Sequence, residues 1–329
     1  MLTETILRAL GDSSRLRILR LIHRMELAVG ELAQVLGQSQ PRVSQHVARL
    51  VDAGLAQRHR EGSWVFLRPA QQGEPLHDAV ARLLATAEAE DAAFGALAQA
   101  DRARLETIRA ARAAEADAYF ARHAKDWDSL RAMLVPPAQV ESALLAALAG
   151  EAIGQVLDIG TGTGRIAQLL RPLADSVTAF DKSPEMLRLA RARLPASANE
   201  SQGAAVTFEQ GDFTALPFPA ASFDTVALHH VLHYAQHPEA ALAEAARVCR
   251  PGGRILIADL AAHDREELRS RHAHTRLGFG EEALAKALAQ AGFVPAPPVK
   301  VPGGEIATII WTGSRQPAAP STARIAGTA

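Results

Sequence analysis

Val156-Leu-Asp-Ile-Gly-Thr-Gly-Thr-Gly164 decides how the second half of this chain folds. Val156, Leu157 and Ile159 read as a short buried strand. Glycines at alternate positions, Gly160, Gly162 and Gly164, then turn the chain into a helix that begins Arg165-Ile-Ala-Gln-Leu-Leu170. Glycine reaches positive φ cheaply and lets the backbone approach a ligand closely at a strand-to-helix junction. A dinucleotide fingerprint would want a further glycine three residues after Gly162, where Arg165 and Ile166 interrupt it. The acid of this motif, Asp158, stands two residues before the first glycine instead.

Outward from that stretch, strands and helices alternate. Strands are expected at residues 155–159, 176–180, 206–210, 225–228, 254–259 and 305–312, and helices at 165–172, 184–194, 238–248 and 281–291. Such alternation predicts a doubly wound α/β sheet with a ligand at the C-terminal ends of its strands. Residues 313–329, rich in Pro, Ala, Ser and Thr, read as a disordered tail.

Upstream the pattern changes. Helices are expected over residues 3–23, with Ser13 or Ser14 capping the second of them, and over Val29–Leu36, closed by Gly37. A further helix opens at Ser39-Gln-Pro, with Val43, Val47, Leu50 and Val51 at helical spacing. Residues 55–60 and 63–68 flank Glu61-Gly62 as the strands of a hairpin. Two short helices followed by a hairpin make a winged helix-turn-helix. Residues 75–149 are alanine-rich and helical, broken near Pro136-Pro137. The expected divisions are therefore 1–74 for the winged helix, 75–149 for a helical dimerisation, connector and lid region, 150–312 for the α/β domain, and 313–329 for the tail.

With 329 residues and 48% hydrophobic content, the chain is long enough for two ordinary domains. No apolar run approaches the roughly 20 residues of a membrane helix, and the polar start is unlike a signal peptide. The single cysteine, Cys249, excludes an internal disulfide and a cysteine-cluster metal site. A cytoplasmic protein is expected, with no membrane partner. Residues 1–70 hold ten arginines against six acids, while residues 71–150 hold eight bases against twelve acids. A basic first segment on an acidic chain hints at nucleic acid.

Leu10-Gly-Asp-Ser-Ser-Arg-Leu-Arg-Ile-Leu-Arg-Leu21, Glu31-Leu-Ala, Gln40-Pro-Arg-Val-Ser-Gln-His-Val-Ala-Arg-Leu50 and Ala53-Gly-Leu-Ala resemble the ArsR family of bacterial repressors, over about residues 5–95. The resemblance implies a homodimer that sets a recognition helix from each subunit in successive major grooves of a double-stranded operator. Independently of it, Ser39, Gln40, Arg42, Ser44, Gln45, His46 and Arg49 form the polar face of the helix at residues 39–50. Arg and Gln can bond base edges, and Ser can bond phosphate. Arg58, Arg60 and Ser63 on the hairpin would hold the backbone or reach the minor groove. Metal-sensing members of the family carry a cysteine pair where this chain has Glu26-Leu-Ala-Val-Gly30, so soft-metal sensing there is unsupported. His77 and Asp78 on the later helix could ligate zinc across a dimer, but this is the minor reading and no metal is assigned.

The glycine stretch resembles motif I of class I S-adenosyl-L-methionine (SAM)-dependent methyltransferases, and the likeness extends over residues 119–312, most strongly toward the subgroup of quinone-biosynthesis C-methyltransferases. It implies that Gly160, Gly162 and Gly164 approach the methionine part of SAM, and that Asp158 orients its amino group directly or through water. Asp181, ending Val177-Thr-Ala-Phe-Asp181, would accept from both ribose hydroxyls, a task that suits an acceptor-only carboxylate. Asp212 would bind the adenine amino group, with Phe213 beside the ring. Tyr119 and Trp127, in Tyr119-Phe-Ala-Arg-His-Ala-Lys-Asp-Trp-Asp128, are either a lid or core aromatics. His229, His230 and His233 are candidates for a general base, or else packing residues. Cys249 reads as a small core residue. His272, His274 and Arg276 form a polar cluster without an assigned role.

The expected fold class is thus multidomain: an N-terminal α+β winged helix-turn-helix, a helical connector, and a C-terminal α/β Rossmann-like class I methyltransferase sheet. Two functions follow from that pairing. One is a regulator that senses SAM or its product S-adenosylhomocysteine (SAH) and also methylates a small molecule. The other is chiefly a methyltransferase, with a carbon, oxygen or sulfur acceptor, that controls its own operon. DNA methylation is disfavoured, because base chemistry requires flipping and Ala227-Leu-His-His230 stands where amino-methylating enzymes place Asn-Pro-Pro-aromatic.

Overall fold

The structure, a computed structural model, describes residues 2–23, 26–61, 64–70, 75–129, 137–150, 152–194, 203–303 and 305–316. Two compact units divide the chain, Met1–Ala116 with Asp264–Glu266, and Asp117–His263 with Glu267–Ala329. The division falls inside one helix, so the region expected as a connector over 75–149 is shared between the two units. Burial explains the split: Val80, Leu84 and Leu105 join the first core, while Val140, Leu144 and Leu148 join the second.

In the first unit, α1 (Leu2–Leu10), α2 (Ser13–Ile22), α3 (Val29–Leu36) and α4 (Gln40–Asp52) precede the hairpin β2 (Ala56–Glu61) and β3 (Trp64–Pro69). The short β1 (Leu27–Ala28) pairs with β3, giving a sheet of order β1-β3-β2. The cap of α2 differs from expectation. Asp12, rather than Ser13 or Ser14, is the N-cap, and its carboxylate accepts from the Arg15 N–H at 3.0 Å. A carboxylate suits the positive end of a helix better than a hydroxyl does. Gly37 closes α3 in the left-handed region, at φ 64. Helices α5 (Pro75–Glu90) and α6 (Ala92–His123) follow. Arg17 grips Asp101 through two hydrogen bonds of 2.7 and 2.5 Å, and Glu88 accepts from both Arg20 and Arg102. Part of the basic excess of residues 1–70 is therefore neutralised by acids of the following helices.

The second unit is a sheet of order β10-β11-β8-β7-β4-β5-β6, with β9 paired to β11. Its parallel strands are β4 (Gln155–Ile159), β5 (Ser176–Asp181), β6 (Ala205–Gln210), β7 (Phe223–His229) and β8 (Cys249–Leu260). Strands β9 (Phe293–Pro295), β10 (Val299–Val301) and β11 (Thr308–Arg315) run antiparallel at the far edge. The order reverses between β4 and β7, the point at which doubly wound sheets bind ligands. Helix α7 (Pro137–Leu148) precedes the sheet. Helices α8 (Arg165–Leu170), α9 (Pro184–Arg193), α10 (Pro238–Val248), α11 (Glu267–His272) and α12 (Glu281–Gln290) lie between the strands in sequence. Apolar clusters occupy both faces of the sheet. The last strand runs to Arg315 rather than 312, because Arg315 donates to the carbonyls of Ala246 and Gly292 and holds the strand end down. The remainder of the expected tail, 317–329, lies outside the described residues. Cys249 is buried in the core, where loss of water pushes its thiol up to about 11 against the charge of Arg315.

Candidate functional site

The turn after β4 is built as the sequence demands. Gly160, Gly162 and Gly164 have φ of 70, 56 and 83 degrees, a region where side chains are strained. Space adds a second constraint. A Cβ on Gly160 would overlap the Val231 side chain, and one on Gly164 would press at 3.1 Å on Ala190 and Leu194. The turn's backbone is tied to β5: Gly160 and Thr161 both donate to the Phe180 carbonyl, at 2.8 and 3.0 Å. Gly160→Ala is expected to destabilise this unit by at least about 2 kcal/mol, combining left-handed strain with displacement of Val231. At Gly162 a Cβ would meet nothing nearer than Trp127 at 3.6 Å, so Gly162→Ala is expected to cost about 1 kcal/mol. Thermal unfolding followed by circular dichroism reads the difference.

Four further strand ends surround this turn. Asp181 closes β5, accepting from the Gly162 N–H at 2.8 Å through one oxygen and from the Ser183 N–H at 2.9 Å through the other. Burial pushes its carboxyl up, opposed by the N–H groups of Ser183, Gly162 and Lys182. Asp158 is buried, and its carboxylate accepts from the Thr161 hydroxyl at 2.6 Å. Asp212 is exposed beyond β6, where one oxygen accepts from the N–H and hydroxyl of Thr214 at 2.8 and 2.6 Å. Phe213 is half-buried against the core beneath. His229 ends β7 and Asp259 lies near the end of β8.

Aromatic side chains stand over the same edge. Trp127 lies beside Gly162 and packs on Phe120 and Tyr234, with ring centroids 5.3 and 6.1 Å apart. Tyr119 is buried and packs on Phe120, with ring centroids 5.8 Å apart, and its hydroxyl bonds the Nδ1 of His272 at 2.9 Å. Thr163 ties the turn to the segment carrying Trp127 by donating to Asp128 at 2.7 Å, and Arg193 pairs with the same carboxylate. Of the three histidines singled out from sequence, His230 and His233 are buried and His229 is half-buried. His233 Nδ1 lies 2.6 Å from Asp259 Oδ1.

The other candidate surface is α4. Val43, Val47 and Leu50 are fully buried, and Ser39, Gln40, Arg42, Gln45 and Arg49 are exposed. Ser44 and His46 are half-buried, and His46 Nδ1 stands 3.5 Å from the Asp12 carboxylate that caps α2. Ser39 occupies the N-cap position, but its hydroxyl makes no capping bond. Arg58 and Arg60 are exposed on β2. Among the described residues, Arg42, Arg49 and Arg58 form no ion pair. Ser63 lies outside the described residues.

Residues 12–58 match the bacterial regulatory protein arsR family, and residues 157–257 match the methyltransferase domain family. The chain joins an ArsR-family helix-turn-helix domain to a methyltransferase domain. It is 35% identical over 118 residues to a demethylmenaquinone methyltransferase of Tropheryma whipplei (strain Twist), covering 36% of this chain and 45% of that one. Over 114 residues it is 40% identical to a malonyl-[acyl-carrier protein] O-methyltransferase of Serratia marcescens, covering 35% of this chain and 41% of that one. The chain therefore spans less than half the length of these relatives. A solved complex between the Haloferax volcanii Trm112 methyltransferase activator and a methyltransferase aligns with 61% of this chain and 98% of its own. That alignment has 23% identity and a TM-score of 0.50, which shows the shared fold. No helix among the described residues is long and apolar enough to cross a membrane.

Within the methyltransferase domain, the glycine turn and Asp181 meet at adjacent strand ends as expected from sequence, whereas Asp259 was not among the residues singled out there. Its signal was a lone acid after the apolar run Ile255-Leu-Ile-Ala at a strand's C-terminal end, a position where a buried charge needs a reason. The cluster of His272, His274 and Arg276 gains a place as well. The N–H groups of Thr275 and Arg276 donate to the His233 carbonyl at 3.0 and 2.8 Å, which docks this loop on the segment after β7.

Proposed function

We propose that this protein is a cytoplasmic DNA-binding transcriptional regulator whose methyltransferase domain binds SAM and SAH and methylates a small molecule. The observation that carries the cofactor reading is the junction of Asp181 with the glycine turn. One carboxylate oxygen receives the Gly162 N–H at 2.8 Å, which sets a second strand's acid beside a turn whose glycines carry no side chains of their own. In this reading Gly160, Gly162 and Gly164 border the methionine part, and Asp158 receives its amino group. Asp181 accepts the ribose hydroxyls, while Asp212 and Phe213 bound the adenine, with Trp127 above. In-line methyl transfer depends on positioning and desolvation more than on a strong base. Carbon, oxygen and sulfur acceptors all suit it, and relatives named for demethylmenaquinone and malonyl-carrier methylation support a metabolite-sized acceptor.

The DNA reading rests on α4, whose Gln40, Arg42, Gln45 and Arg49 are exposed on a helix that its apolar face anchors. A homodimer on a two-fold operator fits that helix. Large apolar side chains left exposed on α1, α5 and α6, among them Leu7, Leu83 and Leu97, support such a pairing. Ligand would alter DNA affinity only as far as it prefers one DNA-binding state over another, and a tenfold effect needs about 1.4 kcal/mol of coupling. The alternative, an enzyme with an autoregulatory reader, is favoured by relatives that are themselves named as methyltransferases. Calorimetric titration of the full chain with SAM and with SAH tests the cofactor reading. One site per chain for each ligand is expected, and no heat with either would overturn it.

A further inference from the structure

Five imidazoles run in contact along one end of the sheet. Ring centroids are 4.5 Å apart for His229 and His230, 6.3 Å for His230 and His233, 4.3 Å for His233 and His274, and 6.4 Å for His272 and His274. Beneath them Asp259 is completely buried. Its carboxylate is held by the N–H groups of Leu260 at 2.7 Å and Leu232 at 2.9 Å, and lies 2.6 Å from His233 Nδ1. One ligand atom from each of His230, His233 and Asp259 lies within 4.8 Å of the other two, and all three residues are buried.

We propose that His230, His233 and Asp259 bind a divalent transition-metal ion of the zinc class. Two imidazole nitrogens and one carboxylate oxygen are a donor set for such an ion, and three protein ligands leave a coordination position open. A buried aspartate–histidine pair that serves packing alone is the competing explanation, and three observations speak against it. His230 has φ 52, a strained value for a residue with a side chain, and it is held there by its N–H bond to the Ala258 carbonyl at 2.8 Å. Ala273, between His272 and His274, has φ 56, so both loops that present histidines are bent the same costly way. His274 is 4% exposed, and its Nδ1 has no hydrogen-bond partner among the described residues, as expected of a nitrogen kept for something the chain does not supply. Packing alone requires neither the bends nor the unpartnered nitrogen. The backbone N–H bonds to Asp259 are the supporting contacts that orient a ligating carboxylate. Because Val231, between the two histidine ligands, packs on Gly160, the ion would sit next to the glycine turn.

The test is calorimetric titration of the chelator-stripped full chain with zinc chloride, together with its His230→Gln/His233→Gln and Asp259→Asn variants. One site per chain is expected, tighter than about 1 µM. The double variant should weaken it by more than about a hundredfold, and Asp259→Asn by roughly ten- to a hundredfold. His77→Ala, which removes the other histidine considered for zinc, should leave the affinity unchanged. Circular dichroism confirms that each variant is folded. SAM titration of the same samples keeps this proposal separate from the cofactor reading, because zinc binding does not require that SAM bind. Wild-type binding weaker than about 10 µM would overturn the proposal, and so would one-site binding that the folded double variant retains.

Discussion

Asp181→Ala is expected to weaken SAM binding by at least about a hundredfold while leaving operator DNA binding intact. Two ribose hydroxyls donating to one carboxylate make charge-assisted bonds worth about 1.5–3 kcal/mol each, and a hundredfold loss corresponds to about 2.8 kcal/mol. The substitution also removes the acceptor for the Gly162 and Ser183 N–H groups, so the turn that borders the methionine part loosens as well. Asp181→Asn keeps one acceptor oxygen and should fall between the two. Acidification acts in the same direction. Because burial holds the Asp181 carboxyl above its ordinary range, protonation begins at a higher pH than for an exposed aspartate, and SAM affinity should fall with it. Calorimetry across pH, with Asp181→Asn as reference, reads this. An alanine variant with undiminished affinity would remove the cofactor reading.

Gln45→Ala combined with Arg49→Ala is expected to weaken operator binding by about 2–6 kcal/mol and to leave SAM affinity unchanged. Both side chains are exposed on α4, while Val43, Val47 and Leu50 fix the helix from its other face, so truncation removes contacts without disturbing packing. Each bidentate contact to a base edge is worth about 1–3 kcal/mol. An arginine on phosphate would instead weaken all sequences alike and lower the salt dependence. Comparing operator with random duplex at two salt concentrations separates these roles. Unaltered affinity in the double variant would show that α4 is not the reading helix. His46 should matter less, because it faces the Asp12 carboxylate at the cap of α2.

Elements whose character is local were legible in the sequence. Val156, Leu157 and Ile159 are completely buried in β4, and the glycines that follow have the positive φ that their spacing implied. Helix α4 and the hairpin were readable for the same reason, since apolar period and turn residues lie within a few positions of one another. What escaped depends on distant partners. Asp259 and His233 are 26 residues apart, and Tyr119 meets His272 across 153 residues. Ser13 or Ser14 was expected as the cap of α2, and recognising Asp12 in that place required geometry. The division between units falls within α6, where an alanine-rich stretch continues as helix past Ala116 and leaves no break to read. Edge strands β9 and β10 are three residues each, too short for alternation to register. The end of β11 looked like tail because Gly313 and Ser314 carry little apolar signal, whereas the Arg315 guanidinium secures it.

The central claim, that one chain couples a DNA reader to the methylation cofactor, is tested most directly by its affinity for the DNA upstream of its own gene, measured without ligand, with SAM and with SAH. The account predicts a shift of at least about fivefold between the free and one liganded form, the low end of ordinary allosteric coupling. Asp181→Ala should abolish that shift without changing the unliganded affinity. Tight operator binding indifferent to both ligands, in a protein that calorimetry shows to be saturated with them, would contradict it.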